Sequence, residues 1–233
     1  FMNPAERLIV ALDVSRLEEA VSLVSQLSPT IRSFKVGLEL LTRVGGPRAV
    51  KEVQDRGGRV FFDGKFDDIP NTVTGASRGV AALGVWMFNL HASAGIEAMR
   101  AAVANKGKSL VLTVTVLTSH DESSCKRVFG SPLKEKVLQM ALDAKEAGVD
   151  GIVSSPQELE FLAKEKRLSG LLKVTPGVRP AWAAKGDQRR VMTPREAVDA
   201  GADYLVIGRP ITQPPPEIGS PLQAVEKILE EMS

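Results

Sequence analysis

Eight short apolar runs divide this chain, and what lies between them restricts it to few folds. The runs are LIVAL (8–12), FKVGL (34–38), VFF (60–62), VWMFNL (85–90), LVLTVTVL (110–117), GIVSS (151–155), LLKVTP (171–176) and YLVIG (204–208). Helical patterns separate them, with apolar residues at i, i+3, i+4 and i+7, as in Leu17, Ala20, Val21, Val24 and in Val225, Ile228, Leu229, Met232. Capping-box sequences mark helix starts at Ser15 to Glu18, Ser155 to Glu158 and Thr193 to Glu196, the last two with proline at the first helical position. The runs are continuously apolar rather than alternating, as befits parallel strands covered by helices on their outer face. Strand then helix, eight times over, predicts the α/β class and a single (β/α)8 TIM barrel spanning residues 1–233. The competing architecture is an open doubly wound sheet. No G-x-G-x-x-G follows the first strand to support it, and no change of composition marks a linker.

The totals narrow the function. Among 233 residues, 30 are basic and 28 acidic. A net charge of +2 gives no reason to expect a nucleic-acid or membrane-surface partner, although a few clustered arginines could still bind a small anion. The one cysteine, Cys125, rules out an intrachain disulfide and a cysteine-based zinc site. Its polar setting, SHDESSCKR, predicts a surface thiol. No apolar run reaches the length of about 18 residues that spans a bilayer, so a cytoplasmic enzyme is expected.

In a barrel of this kind the chemistry lies at the C-terminal ends of the strands. Asp13, Lys35, Asp63, Lys65, Asn89, His91, Thr118, Ser154, Arg179 and Arg209 fall at those ends or just beyond them. The segment DGKFDDIPNT (63–72) crowds three acids and a lysine into six positions. Side chains two apart on a strand share a face, so Asp63 and Lys65 point the same way. VTPGVR (174–179) and VIGRPIT (206–212) follow the seventh and eighth strands, where barrels hold phosphate. Gly208, Arg209 and Arg179 are candidates for that cradle. RPAWAAKGDQRR (179–190), long and glycine-containing, is a candidate lid. Thr118 and Ser119 could hold the edge of a heterocycle. His91 and His120 are read as structural or loop residues, and Trp86 and Phe88 as core.

D-x-K-x-x-D-I-P-x-T resembles the signature of the orotidine 5′-monophosphate decarboxylase family. ALDV with Asp13, FKVG with Lys35, VTVLTS, VTPGVR with the following Asp187-Gln188, and VIGRPIT are similar to that family's blocks in its order and spacing. Gly64 and Asp67 depart from the commonest form, which has leucine and histidine. The resemblance implies loss of CO₂ from orotidine 5′-monophosphate with no metal or organic cofactor. It makes Lys65 the proton donor, with Asp63 beside the departing carboxylate. Asp68 would enter from a neighbouring subunit, so a homodimer is implied. It also places Asp13, Lys35, Thr72, Thr118, Arg179, Gln188, Gly208 and Arg209 in substrate binding. Two carboxylates around Lys65 would favour its charged form. The nearest alternative is a magnesium-dependent sugar-phosphate decarboxylase or aldolase of the same superfamily. Those enzymes carry a metal-binding acid at the end of the second strand, where this chain has Lys35, a cation that would repel the metal. A silent nucleotide sensor is a further alternative, for which a charged cluster would be a cost without a use.

Overall fold

The computed structural model describes residues 2–183 and 191–233. The strands are β1 Leu8–Ala11, β2 Ser33–Gly37, β3 Arg59–Phe66, β4 Met87–His91, β5 Leu110–Val114, β6 Gly151–Val153, β7 Leu172–Pro176 and β8 Tyr204–Ile207. Each pairs in parallel with the next, and β8 closes on β1. The (β/α)8 barrel expected from the alternation is the one formed. Its strands are buried on both faces because the pleat sends successive residues to opposite sides. Ile9, Ala11, Phe61, Met87, Leu112, Val174 and Val206 fill the barrel interior. Their neighbours, such as Leu8, Val10, Val60, Phe88 and Val111, join the larger core beneath the helices. Trp86 is only half-buried and forms part of the barrel floor, edge-on to Tyr204 at 5.2 Å, with the Arg59 guanidinium 3.7 Å above its ring.

The same period-two rule continues upward and supplies the site. Lys35 follows Ser33, Asp63 follows Phe61 and Asn89 follows Met87 on inward-facing positions of adjacent strands, so the upper layer of the barrel is polar where the lower layers are apolar.

Several local expectations change. The strand begun by VFF runs on to Phe66, so Asp63 and Lys65 lie within it and not past its end. β5 stops at Val114, which leaves Thr118 and Ser119 in the following loop. The helix expected from Ser15 instead starts at Leu17, with Arg16 at its N-cap and no side-chain cap bond. Leu17 is the first helical residue and is drawn into the core, which shifts the start past the reach of a Ser15 cap. The box at Thr193 forms, only the returning half forms at Ser155, where the backbone N–H donates to Glu158 Oε2 at 2.9 Å, and two more boxes appear at Asp121 and Ser220. Cys125 is buried, contrary to the surface thiol its polar neighbours suggest, because the helix Glu122–Phe129 turns that one position inward. Burial pushes its thiol pKa up. Among the described residues no helix is long and apolar enough to cross a membrane.

Candidate active site

Four charged side chains of alternating sign stand in a row across the C-terminal ends of the first three strands. Lys35 Nζ donates to Asp13 Oδ1 at 2.7 Å and lies 3.1 Å from Asp63 Oδ2. Lys65 Nζ donates to the other oxygen, Asp63 Oδ1, at 2.7 Å. Parallel pairing explains the meeting: β1 sets Ala11 beside Lys35, and β2 sets Gly37 beside Asp63. Gly37 has to be small. A Cβ there would sit 2.7 Å from Lys35 Nζ and 2.9 Å from Asp13 Oδ1, in the space the ion pair occupies.

Lys35 and Asp63 are 8% and 6% exposed, so neither ion is held by water. Burial disfavours the Lys35 ammonium, but Asp63 and Asp13 outweigh it and raise its pKa above the usual lysine value. Burial alone would likewise push the Asp63 carboxyl up. Lys35 and then Lys65, with hydrogen bonds from Lys65 and Asn89, hold it below the usual carboxylate range. Lys35 and Asp63 are thus held charged at the centre of the row, which ends on Lys65.

A cavity of about 490 Å³ opens beside that row. Asp13, Lys35, Asp63 and Lys65 form its charged wall; Val114, Val153 and Pro176 form an apolar one. Arg179, Gly208 and Arg209 line it from the loops after β7 and β8, as expected, and Thr118 reaches it from the loop after β5 while Ser119 does not. Gly177, at φ 80°, turns the chain between Pro176 and Arg179 in a conformation that suits glycine. Gln188 and most of the candidate lid lie outside the described residues.

Asp68 and Thr72 are exposed and do not line the cavity of their own chain. Asp68 Oδ1 accepts from the N–H of Ile69, itself 65% exposed. The unusual Gly64 has a local cause: a Cβ at that position would lie 2.7 Å from the Phe62 ring, which packs against Phe66. Asp67 accepts from Ser93 Oγ at 3.2 Å. His91 is half-buried beyond Asn89, and burial lowers its pKa. His120 lies edge-on to Phe129 in the loop region.

Asn89, Glu39 and Gln213 also belong to the site and were given no role from the sequence. Glu39 and Gln213 line the cavity. Asn89 is buried and donates through Nδ2 to Asp63 Oδ1 at 2.7 Å. The sequence did hold a signal for it, since a buried amide inside the run VWMFNL must find polar partners.

A closed parallel barrel with a lysine–aspartate row, buried at its centre, on one side of its mouth and arginines after its last two strands belongs to the class of barrel enzymes that hold a phosphorylated substrate against fixed charge. The profile of the Orotidine 5'-phosphate decarboxylase / HUMPS family matches residues 6–228, and the chain belongs to that family. A relative from Syntrophomonas wolfei subsp. wolfei, named orotidine 5'-phosphate decarboxylase, is 45% identical over 243 residues, covering 99% of this chain and 99% of its own length. One of the same name from Halorhodospira halophila is 49% identical over 211 residues, covering 88% of this chain and 89% of its own. The crystal structure of orotidine 5'-phosphate decarboxylase from Lactobacillus acidophilus superposes with a TM-score of 0.83 at 32% identity, covering 98% of this chain and 99% of that one.

Proposed function

We propose that this chain decarboxylates orotidine 5′-monophosphate to uridine 5′-monophosphate, a step of pyrimidine biosynthesis, in the cytoplasm. The observation that carries the mechanism is the alternating row Asp13, Lys35, Asp63, Lys65, whose last cation faces the cavity. The bond between the ring carbon and its carboxylate breaks, CO₂ leaves, and the electron pair stays on an sp² carbon that has no carbonyl placed to delocalise it. Fixed charge has to stabilise that pair. An ammonium about 4 Å away contributes on the order of 4 kcal/mol at an effective dielectric near 20, and Lys65 then supplies the proton. One lysine is not sufficient, so the rest comes from binding energy elsewhere in the substrate.

Arg179, Gly208 and Arg209, with Gln188, take the phosphate. Thr118 holds the pyrimidine edge, and Asp13 and Lys35 hold the ribose hydroxyls. Asp63, locked as an anion between two lysines, crowds the departing carboxylate. The apolar wall at Val114, Val153 and Pro176 suits a neutral product such as CO₂ better than a carboxylate. Asp68 and Thr72 serve the site of a second copy in a homodimer. Their exposure, their absence from the lining of their own cavity and the exposed Ile69 between them support that assignment.

A magnesium-dependent sugar-phosphate reaction is disfavoured by Lys35, whose ammonium already occupies the space between Asp13 and Asp63. The test is to add orotidine 5′-monophosphate to purified protein in excess EDTA and follow ultraviolet absorbance. Turnover in EDTA that disappears in Lys65→Ala is expected. No turnover, or turnover only after magnesium is restored, would overturn the proposal.

A further inference from the structure

We infer that Asn89 is a positioning residue for this reaction, acting by holding Lys65 in a backbone conformation that Lys65 would not otherwise adopt. The inference rests on the decarboxylase function proposed above and extends it to a residue that stands behind the charged row.

Lys65 has φ 49° and is the one non-glycine residue at positive φ among those described. A side chain with a Cβ rarely rests there, and such a conformation persists only where its surroundings impose it. Here the cause is a bulge. Phe62 of β3 faces Phe88 of β4, and the next pair is Phe66 with Leu90. Asp63, Gly64 and Lys65 therefore stand opposite the single residue Asn89. The extra residues loop out of the ladder, re-aiming the strand as bulges beside active sites do.

The side-chain amide of Asn89 fills the gap in the ladder. Its Oδ1 accepts from the Lys65 backbone N–H at 2.8 Å, and its Nδ2 donates to Asp63 Oδ1 at 2.7 Å. Those partners fix which way the amide points, since the N–H can only donate and the carboxylate only accept. One buried side chain thus fastens the backbone of Lys65 and the carboxylate of Asp63 to β4, while Asp63 Oδ1 also accepts from Lys65 Nζ at 2.7 Å. Asn89 is not among the residues lining the cavity, so it acts through the two residues that do. The ionisable groups facing it are Asp63 and Lys65 from β3, Lys35 from β2 through Asp63, and His91 two positions along its own strand.

Two variants test this. Asn89→Ala removes both bonds and is expected to lower kcat by about 30-fold or more while KM stays within about threefold, because the residues proposed to grip the phosphate are elsewhere. Asn89→Asp keeps the shape and the acceptor for Lys65, but it sets a carboxylate against Asp63 Oδ1. Two such oxygens do not both stay ionised, so the pair takes up a proton as pH falls and the protonated acid donates as the amide did. Its kcat relative to the parent should therefore recover by about fivefold or more between about pH 8.5 and about pH 6. Residue 89 acting only as packing would give no such recovery. The inference is overturned if Asn89→Ala keeps kcat within about threefold of the parent, or if Asn89→Asp shows the same relative kcat throughout that range. Should Asn89→Ala fail to fold, Asn89→Asp decides alone. An inactive parent would instead sink the decarboxylase proposal, so the two failures are told apart.

Discussion

Replacing Lys35 with methionine isolates the electrostatic centre of the site. Methionine has similar length and no charge, so the barrel stays filled while Asp63 Oδ2 loses the ammonium 3.1 Å away. The pair attraction at that distance is about 5 kcal/mol at an effective dielectric near 20. Removing the buried ammonium also removes its own desolvation penalty, which offsets part of that loss. Asp13, with half its side chain exposed, is readily rehydrated. Asp63 is not: it stays buried, and its remaining side-chain partners, Lys65 and Asn89, both bind Oδ1. The net loss should be about 3 kcal/mol, at the low end for removing one partner of a buried pair. For a chain of this size that is a fall in Tm of roughly 6–12 °C. The pH dependence gives a second check. In the parent, Asp63 has a lowered pKa, so its stabilisation is present above the ordinary carboxylate pKa and is lost only as pH falls through the lower folded value. Without Lys35, burial pushes the carboxyl up, the folded variant binds a proton that the unfolded chain does not, and the deficit narrows as pH drops from about 7.5 toward about 4.5. Urea unfolding of parent and variant at matched protein concentration measures both effects. A deficit under about 1 kcal/mol at pH 7.5, or one of constant size across that range, would refute the description of Asp63 as a buried anion held by Lys35.

The shared site is tested by mixing subunits. Lys65→Ala and Asp68→Ala should each be nearly inactive alone, but refolding equal amounts together should restore roughly a quarter of parental activity, since about half the dimers are mixed and each mixed dimer has one intact site; activity no higher than the separate parents would return Asp68 to its own chain. Arg209→Ala should raise KM and reduce kcat/KM by roughly 2–4 kcal/mol, the cost of a charged hydrogen bond to a remote phosphate. Steady-state kinetics showing unchanged kcat/KM would place the phosphate elsewhere.

The sequence by itself determined the layers. Continuous apolar runs alternating with amphipathic helical repeats leave a parallel barrel as the economical way to bury both strand faces, and the period of two puts Asp63 and Lys65 on one side without any tertiary information. Motif order likewise placed Asp13, Lys35, Arg179 and Arg209 on one rim, because every strand of a (β/α)8 barrel ends at the same face. Local chemistry was equally readable at Thr193, where a cap needs only residues three apart. What depends on register was not readable. That Lys35 bridges Asp13 and Asp63 follows from pairings between strands separated by loops and helices, and no local pattern encodes them. Cys125 shows the same limit, since a polar neighbourhood in sequence says nothing about which side of a helix faces the core. The bulge that gives Lys65 its positive φ exists only because β3 and β4 are paired with three residues against one. Asn89 acquires its two partners in that mismatch, so its role is a property of the closed barrel and not of the run VWMFNL in which it is written.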